Sequence, residues 1–194
     1  YARNRKIHIK NFSFFETIRK SLIFFLQHLI GKIKGNAKSK NLYLLENFLV
    51  FWRRRKDFKY LKKIYNVSKA DLKKLKYVYF PLITEPEIAL QGVASDFFFQ
   101  LTAINILSRD LPSDYRIIVK EHLLSIGRRP DQFYDQITSL KNVLIADPLD
   151  LGLEYIKNAK LIACITGTAG WEAAVMGVPV LSFSNSAAAG RRAS

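Results

Sequence analysis

The sequence predicts an α/β protein, in which a Rossmann-like, doubly wound parallel sheet follows a basic helical segment. Two observations lead to this fold class. After residue 76, short apolar runs of strand length alternate with helical stretches, and the runs are too continuous for strands with one face in water. Before residue 76, apolar residues recur at helical spacing among many lysines and arginines.

The charge is divided unevenly along the chain. The net charge is +15 over 194 residues, yet residues 1–76 hold 21 Lys and Arg against 4 Asp and Glu. The basic character therefore belongs to the first third and says little about the chemistry of the rest. The hydrophobic content of 49% is enough for a buried core. A single cysteine, Cys164, excludes an internal disulfide and a cysteine-based zinc site.

Two helices are predicted in the basic segment, which we assign to residues 1–75. Residues 14–33 form an amphipathic helix flanked by basic residues, because the uninterrupted apolar part is far shorter than a membrane span. A second helix runs from Leu42 to about Tyr65. Ser68, with Asp71 three residues later, is typical of the start of a short third helix.

The run of Arg53, Arg54, Arg55 and Lys56 has three interpretations from sequence. It is a solvated helix face, a contact for an anionic membrane surface, or a nucleic-acid contact. The aromatic residues nearby fall on the apolar helix face rather than alternating with cations on a strand, which argues against a single-strand binder. We therefore expect no nucleic-acid partner.

The α/β part is assigned to residues 76–186. The predicted strands are residues 77–82, 115–120, 142–146, 161–165 and 180–183. The predicted helices between them are residues 94–107, 130–140, 151–159 and 169–176. Pro130 is placed at the first position of its helix, where a missing N–H costs nothing. Residues 187–194 are small and polar, and we expect a disordered tail there.

The stretch LIACITGTAGWEAAVMGVPVLSF, residues 161–183, is the centre of the functional prediction. A strand leads into a helix through Thr166, Gly167 and Thr168, with Thr168 predicted as the N-cap. Free backbone N–H groups and the positive end of the helix dipole then meet at one point, which suits a phosphate. The alternative is an ordinary crossover with a capped helix.

Polar residues follow several of the predicted strands. Glu87 lies after the first strand; Lys120, Glu121 and His122 end the second, and Glu172 lies one turn into the helix after residues 166–168. Because the carboxyl ends of parallel strands meet at one edge, we expect these groups to gather there. We further expect neighbouring strands to bring His122 and the 166–168 loop to one pocket that binds an anion. His122 would donate to a phosphate, and Glu172 would accept from ribose hydroxyls.

Four motifs in this order resemble the capsule polysaccharide biosynthesis proteins of the Kdo-transferase type. They are YVYFPL with EPE, YRIIVKEH with GRRP and FY, NVLIADP, and ITGTAGWEAAVMGVPVLSF. That family belongs to the GT-B class of glycosyltransferases. The resemblance covers residues 76–184 and implies the C-terminal, donor-nucleotide half of such an enzyme.

The resemblance also implies a site and its ligands. The donor would be a nucleotide sugar, CMP-Kdo, bound without a metal or other cofactor, and the acceptor a polysaccharide or glycolipid. His122 matches the family's phosphate-contacting His and would be catalytic. Lys120, Glu121, Thr166, Gly167, Thr168, Glu172 and Glu87 would bind the donor. The base that activates the acceptor would lie outside this chain, which we expect to be a piece of a larger protein.

A second function stays open from sequence. In it, the chain is a non-catalytic, membrane-peripheral or assembly module of polysaccharide synthesis or export, with a degenerate Rossmann half. Either function is expected in the cytoplasm, at the inner face of a bacterial inner membrane, where residues 1–75 would meet anionic lipid.

Overall fold

The computed structural model describes residues 13–33, 41–84 and 99–183, and Glu87 and the predicted tail lie outside these ranges. The chain divides into two compact units. The first comprises residues up to Tyr60 together with Ile126–Arg128. The second comprises Leu61–Ser125 and the residues from Arg129 onward, so residues 61–75 cluster with the sheet.

Two long helices form the described part of the first unit. Helix α1 spans Phe14–Ile33 and helix α2 spans Asn41–Ile64, as predicted from the spacing of their apolar residues. Phe24 of α1 meets Phe51 of α2 edge to face, with ring centroids 5.6 Å apart. Among the described residues, neither these helices nor the shorter ones are long and apolar enough to cross a membrane.

A short 3-10 turn, Leu72–Lys74, stands where a third helix was predicted. The prediction of Ser68 as the N-cap is wrong, because Asp71 is the N-cap of this turn and no side chain caps it. The Ser68 amide and hydroxyl instead both donate to the Asp71 carboxylate, at 3.1 and 2.8 Å. The helix prediction is wrong because Leu75 is already extended and leads the chain into the first strand. Just before this turn, a bridge from Val67 to Ala146 covers the edge of the sheet.

The second unit contains a five-stranded, all-parallel sheet in the described residues, which confirms the predicted fold class. The strands are β1 Tyr77–Pro81, β2 Arg116–Lys120, β3 Val143–Ile145, β4 Leu161–Cys164 and β5 Val180–Ser182. Their order across the sheet is β3-β2-β1-β4-β5. The strands of a parallel sheet need crossover connections, and four short helices supply them.

The crossover helices are α3 Gln100–Asp110, α4 Phe133–Thr138, α5 Gly152–Lys157 and α6 Thr168–Val175. The prediction that Pro130 begins a helix is wrong. Gln132 precedes α4 in a left-handed conformation with φ 63°, and the Phe133 amide donates to the Pro130 carbonyl oxygen, so residues 130–133 form a turn. The prediction for residues 94–107 is partly outside the described residues, and α3 ends at Asp110.

The core is built on the central strands. Tyr77, Phe80, Ile117, Ile118 and Ile162 are fully buried. The ring of Tyr79 stacks on that of Tyr155 at 5.6 Å, and the Tyr77 hydroxyl donates to the Tyr155 carbonyl oxygen at 2.7 Å. Burying these large rings fixes α5 on β1 and leaves the carboxyl ends of the strands at one edge.

Candidate functional site at the carboxyl edge of the sheet

The strand order creates a switch point between β1 and β4. From β1 the sheet continues through β2 to β3 in one direction, and from β4 to β5 in the other. In open α/β sheets, ligands bind in the crevice outside the carboxyl ends of the strands at this point. The candidate site is therefore bounded by the loop after β1 and the loop between β4 and α6.

The loop after β4 places Gly167 at the start of α6. Gly167 is exposed and has φ 107° and ψ 174°, a conformation that is accessible essentially to glycine alone. A Cβ built on Gly167 would lie 3.6 Å from the Cγ2 of Ile83, the second residue after β1. The two loops that border the switch point therefore lie close together.

The predicted N-cap was wrong by one residue. Gly167 occupies the N-cap of α6, Thr168 is its first helical residue, and no side chain caps the helix. Without a capping side chain, the first N–H groups need another acceptor, because the first turn of a helix supplies none. Thr168 is exposed and Thr166 is half-buried, so both are accessible to a ligand at the start of α6.

Farther along α6, Glu172 is exposed, as a group that accepts from a ligand must be. The preceding residue, Trp171, is 67% exposed and was not singled out in the sequence. A large aromatic ring so exposed next to a candidate site is a surface on which a planar ligand can stack. In the sequence, only the position of Trp171 within the stretch of residues 161–183 could have indicated this role.

His122 follows β2 directly. Its side chain is exposed, and its amide donates to Oε1 of Glu121 at 2.6 Å. Its carbonyl oxygen accepts from the Ser125 amide at 2.9 Å, which closes a tight turn. The structure thus fixes the backbone of His122 firmly and leaves its imidazole at the surface.

His122 and the Gly167 loop lie on the same edge, but the expectation of neighbouring strands is wrong. Strand β1 lies between β2 and β4. Two interstrand spacings amount to about 10 Å between the backbones. That distance is compatible with one ligand that spans the β1 exit, and a shared pocket for His122 and Thr168 stays a prediction.

Glu121 lies inside the protein and not at the surface. Glu121 and Arg129 form a bidentate ion pair at 2.8 Å, with side chains only 2% and 1% exposed. The Tyr134 hydroxyl adds a third donor to this carboxylate at 2.8 Å, and the His122 amide a fourth. With four donors, the Glu121 carboxylate holds the turn after β2 in place.

Lys120 is also largely buried. Its ammonium group donates to the Pro148 carbonyl oxygen at 3.3 Å, in the loop after β3, and lies 3.5 Å from the Glu121 carbonyl oxygen. These contacts link the ends of β2 and β3. They do not place Lys120 at the switch point, and its predicted contact with a donor stays a prediction.

The exit of β1 is held by side chains that the sequence analysis did not name as site residues. The buried amide of Gln100 accepts from the Ile83 N–H at 2.8 Å and donates to the Ile83 carbonyl oxygen at 2.9 Å. The same oxygen accepts from Arg129, and the Ser125 hydroxyl donates to Thr84 at 3.1 Å. The sequence around Gln100 gives no indication of this role. Arg129 could have been noticed, because it belongs to the GRRP motif of the resemblance.

Glu87 lies outside the described residues, so its predicted role is not tested. A cavity of about 330 Å³ opens between α3 and α4, lined by residues such as Phe99, Asn105 and Phe133. None of the predicted site residues lines that cavity. Within the described ranges, no three His, Cys, Asp or Glu side chains are grouped as a metal site would require.

Comparison with solved structures gives 22 similar chains, and two of them are the following. One is the Thermosulfurimonas dismutans KpsC, a beta Kdo 2,7 transferase, with a TM-score of 0.47 and 14% identity over 70% of this chain and 41% of that one. The other, from Listeria monocytogenes, is described as a UDP-N-acetylglucosamine 2-epimerase, with a TM-score of 0.38 and 16% identity over 59% of this chain and 29% of that one. This chain thus spans less than half of either. No family model matches the chain, and no curated protein matches it.

Proposed function

We propose that the chain supplies the donor-binding, C-terminal half of a GT-B glycosyltransferase of capsular or surface polysaccharide biosynthesis. The observation that supports this most is the proximity of the Gly167 loop to Ile83 at the switch point, where a Cβ added to Gly167 would lie 3.6 Å from the Ile83 side chain. A helix N-terminus without a side-chain cap opens there, as a nucleotide phosphate requires. The motifs of residues 76–184 suggest that the donor is CMP-Kdo and the acceptor a polysaccharide or glycolipid.

In this proposal, catalysis is electrostatic. The amides at the start of α6 and the imidazole of His122 stabilise negative charge on the departing nucleotide phosphate, as preorganised donors do at developing charge. The hydroxyls of Thr166 and Thr168 orient the phosphate, and Glu172 accepts from the ribose. No metal is part of this mechanism, and the base that activates the acceptor hydroxyl comes from outside the chain.

The division of roles follows from burial. Groups proposed to touch the donor are exposed or half-buried: His122, Thr166, Gly167, Thr168 and Glu172. Glu121 is engaged by four donors, so its part is to hold the turn that carries His122. Lys120 would raise the positive potential of the same edge from its position beside Pro148.

Titration with CMP and with UDP, followed by thermal unfolding, tests the proposal. Ligand that binds only the folded state raises the melting temperature, by an amount set by concentration over Kd. We expect CMP to raise it for the wild type and less for His122→Ala. The matched control is His28→Ala, on α1 in the other unit, which should respond like the wild type. If neither nucleotide has an effect and His122→Ala behaves as wild type, the donor site is wrong.

A further inference from the structure

Helix α1 carries its apolar residues on the surface. Ten large apolar side chains of this 20-residue helix are between 38% and 84% exposed. They are Phe14, Phe15, Ile18, Leu22, Ile23, Phe25, Leu26, Leu29, Ile30 and Ile33. Large contiguous apolar surfaces are rare on soluble proteins and mark interaction sites.

These residues lie on one side of the helix. At about 100° per residue, the row Ile18, Leu22, Phe25 and Leu29 runs straight along α1, and the other exposed apolar residues flank it within half a turn. The row itself is uninterrupted, and Arg19 lies on its flank between Phe15 and Ile23; the whole helix is about 30 Å long.

The two most buried residues of α1 are polar, unlike those of an ordinary core-facing helix, and the half-buried Phe24 lies on the same side. Thr17 is 1% exposed and Ser21, four residues later, is 8% exposed. The Thr17 hydroxyl donates to the Ser13 carbonyl oxygen at 2.9 Å, and the Ser21 hydroxyl is buried without a hydrogen-bond partner among the described residues. Packing among the described residues of the unit thus leaves most of the apolar side of α1 uncovered.

Cations surround this helix. Residues 13–60 contain eleven Lys and Arg against three Asp and Glu. Lys20 lies over the ring of Phe51 at 5.7 Å, and Arg55 over the ring of Phe14 at 4.7 Å. On α1 itself, Glu16 pairs with Arg19 at 2.8 Å, and it is the only acidic residue of the helix.

The cations also act on one another. Burial, and after it the charge of Arg128, lowers the pKa of Arg54. Burial lowers the pKa of Lys20 as well, against the opposing effect of Glu16 and with added repulsion from Arg54 and Arg19. Positive charges gathered in this way favour an anion nearby.

From the exposed apolar side and the surrounding cations, we propose that α1 lies in the surface of an anionic phospholipid bilayer. The helix axis runs parallel to the membrane, with the Leu22 and Phe25 side among the upper acyl chains. The cations of α1 and α2 face the headgroup phosphates. An anionic bilayer offers both an apolar interior and a dense negative surface, which this combination of side chains requires.

Co-sedimentation with vesicles tests the proposal. The probes are vesicles of phosphatidylcholine alone and of an equimolar mixture with phosphatidylglycerol. We expect binding to the mixed vesicles at least about 25-fold stronger than to the neutral ones, since each basic residue near such a surface contributes about fivefold and both Arg53 and Lys56 are proposed to lie there. High salt should weaken this binding. Equal binding to both vesicles, or none, overturns the proposal.

Matched variants separate the apolar and the charged parts. Leu22→Glu with Phe25→Glu should abolish binding, whereas Leu153→Glu with Val175→Glu, exposed apolar residues of the sheet unit, should not. Arg53→Ser with Lys56→Ser, both exposed, should lower binding about 25-fold to mixed vesicles. Circular dichroism verifies that each variant is folded.

A second copy of the chain is the rival occupant of this surface. Sedimentation equilibrium of the wild type distinguishes the two. A wild type that self-associates, becomes a monomer with Leu22→Glu and Phe25→Glu, and ignores anionic vesicles would overturn the proposal. The vesicle assays use no nucleotide, so their outcome is independent of the donor site.

Discussion

Arg129 reaches from the loop after β2 to the exit of β1, where its Nη2 donates to the carbonyl oxygen of Ile83 at 2.7 Å. The same guanidinium pairs with Glu121, whose carboxylate accepts from the His122 amide. One buried cation therefore connects the turn that carries His122 with the loop that faces Gly167. Arg129 and its ion pair with Glu121 therefore join the turn after β2 to the loop after β1.

Replacing Arg129 by Leu should be strongly destabilising. The substitution leaves the Glu121 carboxylate buried without its charged partner, which typically costs about 3–5 kcal/mol. Urea unfolding measures the loss. The matched control is Arg109→Gln, which removes the exposed pair with Asp110 and should leave the free energy of unfolding unchanged within error. A similar, small effect for both variants would mean that the Glu121–Arg129 pair does not hold these loops.

Replacing Gln100 by Leu tests the other support of the β1 exit. The variant keeps the side-chain volume but removes both hydrogen bonds to the backbone of the half-buried Ile83, so that the Ile83 N–H loses its partner. We expect a loss of about 1–3 kcal/mol in the free energy of unfolding. Gln136→Leu, at an exposed position of α4, is the control and should change little. Equal effects would show that the Gln100 amide contributes no specific support.

Gly167→Ala should combine a stability cost with a loss of ligand binding. The backbone at Gly167 is essentially restricted to glycine, so alanine should cost about 1–3 kcal/mol or move the loop. Gly177, at the other end of α6, also has positive φ, at 73°, and a Cβ there meets nothing. Gly177→Ala should therefore cost about 1–2 kcal/mol.

The two glycine variants are then compared with CMP present. Only Gly167→Ala should lose the rise in melting temperature, because only that residue shapes the proposed phosphate loop. If Gly177→Ala loses it equally, general destabilisation of α6 explains the result and the loop has no direct part.

The sequence was enough to predict the parallel sheet, because its strands are continuous apolar runs that need both faces covered. Helices α1 and α2 were predictable for a different reason, namely that their apolar residues recur at helical spacing. The order of the strands across the sheet could not be predicted from the sequence. Neither composition nor periodicity says that β1 lies between β2 and β4, so the expectation that neighbouring strands carry His122 and Thr168 failed.

The supports of the site were also beyond sequence analysis. Glu121 precedes His122 in the chain and was predicted to bind a ligand, yet burial and a partner eight residues away turn it inward. Gln100 bonds to a backbone seventeen residues earlier. Such contacts depend on how α3 and the loop after β2 pack at one edge of the sheet, and no local pattern encodes that packing.

The buried phenols and thiol should make the protein unstable at high pH. Burial raises the pKa of Tyr77 and of the Cys164 thiol, and burial followed by the bond to Asp150 raises the pKa of Tyr155. An acid with a pKa raised on folding holds its proton longer in the folded chain. Its contribution to stability is thus complete below its ordinary pKa, about 8.5 for cysteine and 10 for tyrosine, and is lost as the pH rises above it.

Above pH 10, each of these tyrosines should lower the free energy of unfolding by about 1.4 kcal/mol per pH unit. Urea unfolding between pH 8 and 11 measures the slope of the free energy of unfolding against pH. Tyr77→Phe should reduce this slope by the contribution of one tyrosine. The variant also loses the hydrogen bond to the Tyr155 carbonyl oxygen. A slope unchanged by Tyr77→Phe would mean that the Tyr77 phenol ionises as readily in the folded protein as in the unfolded chain.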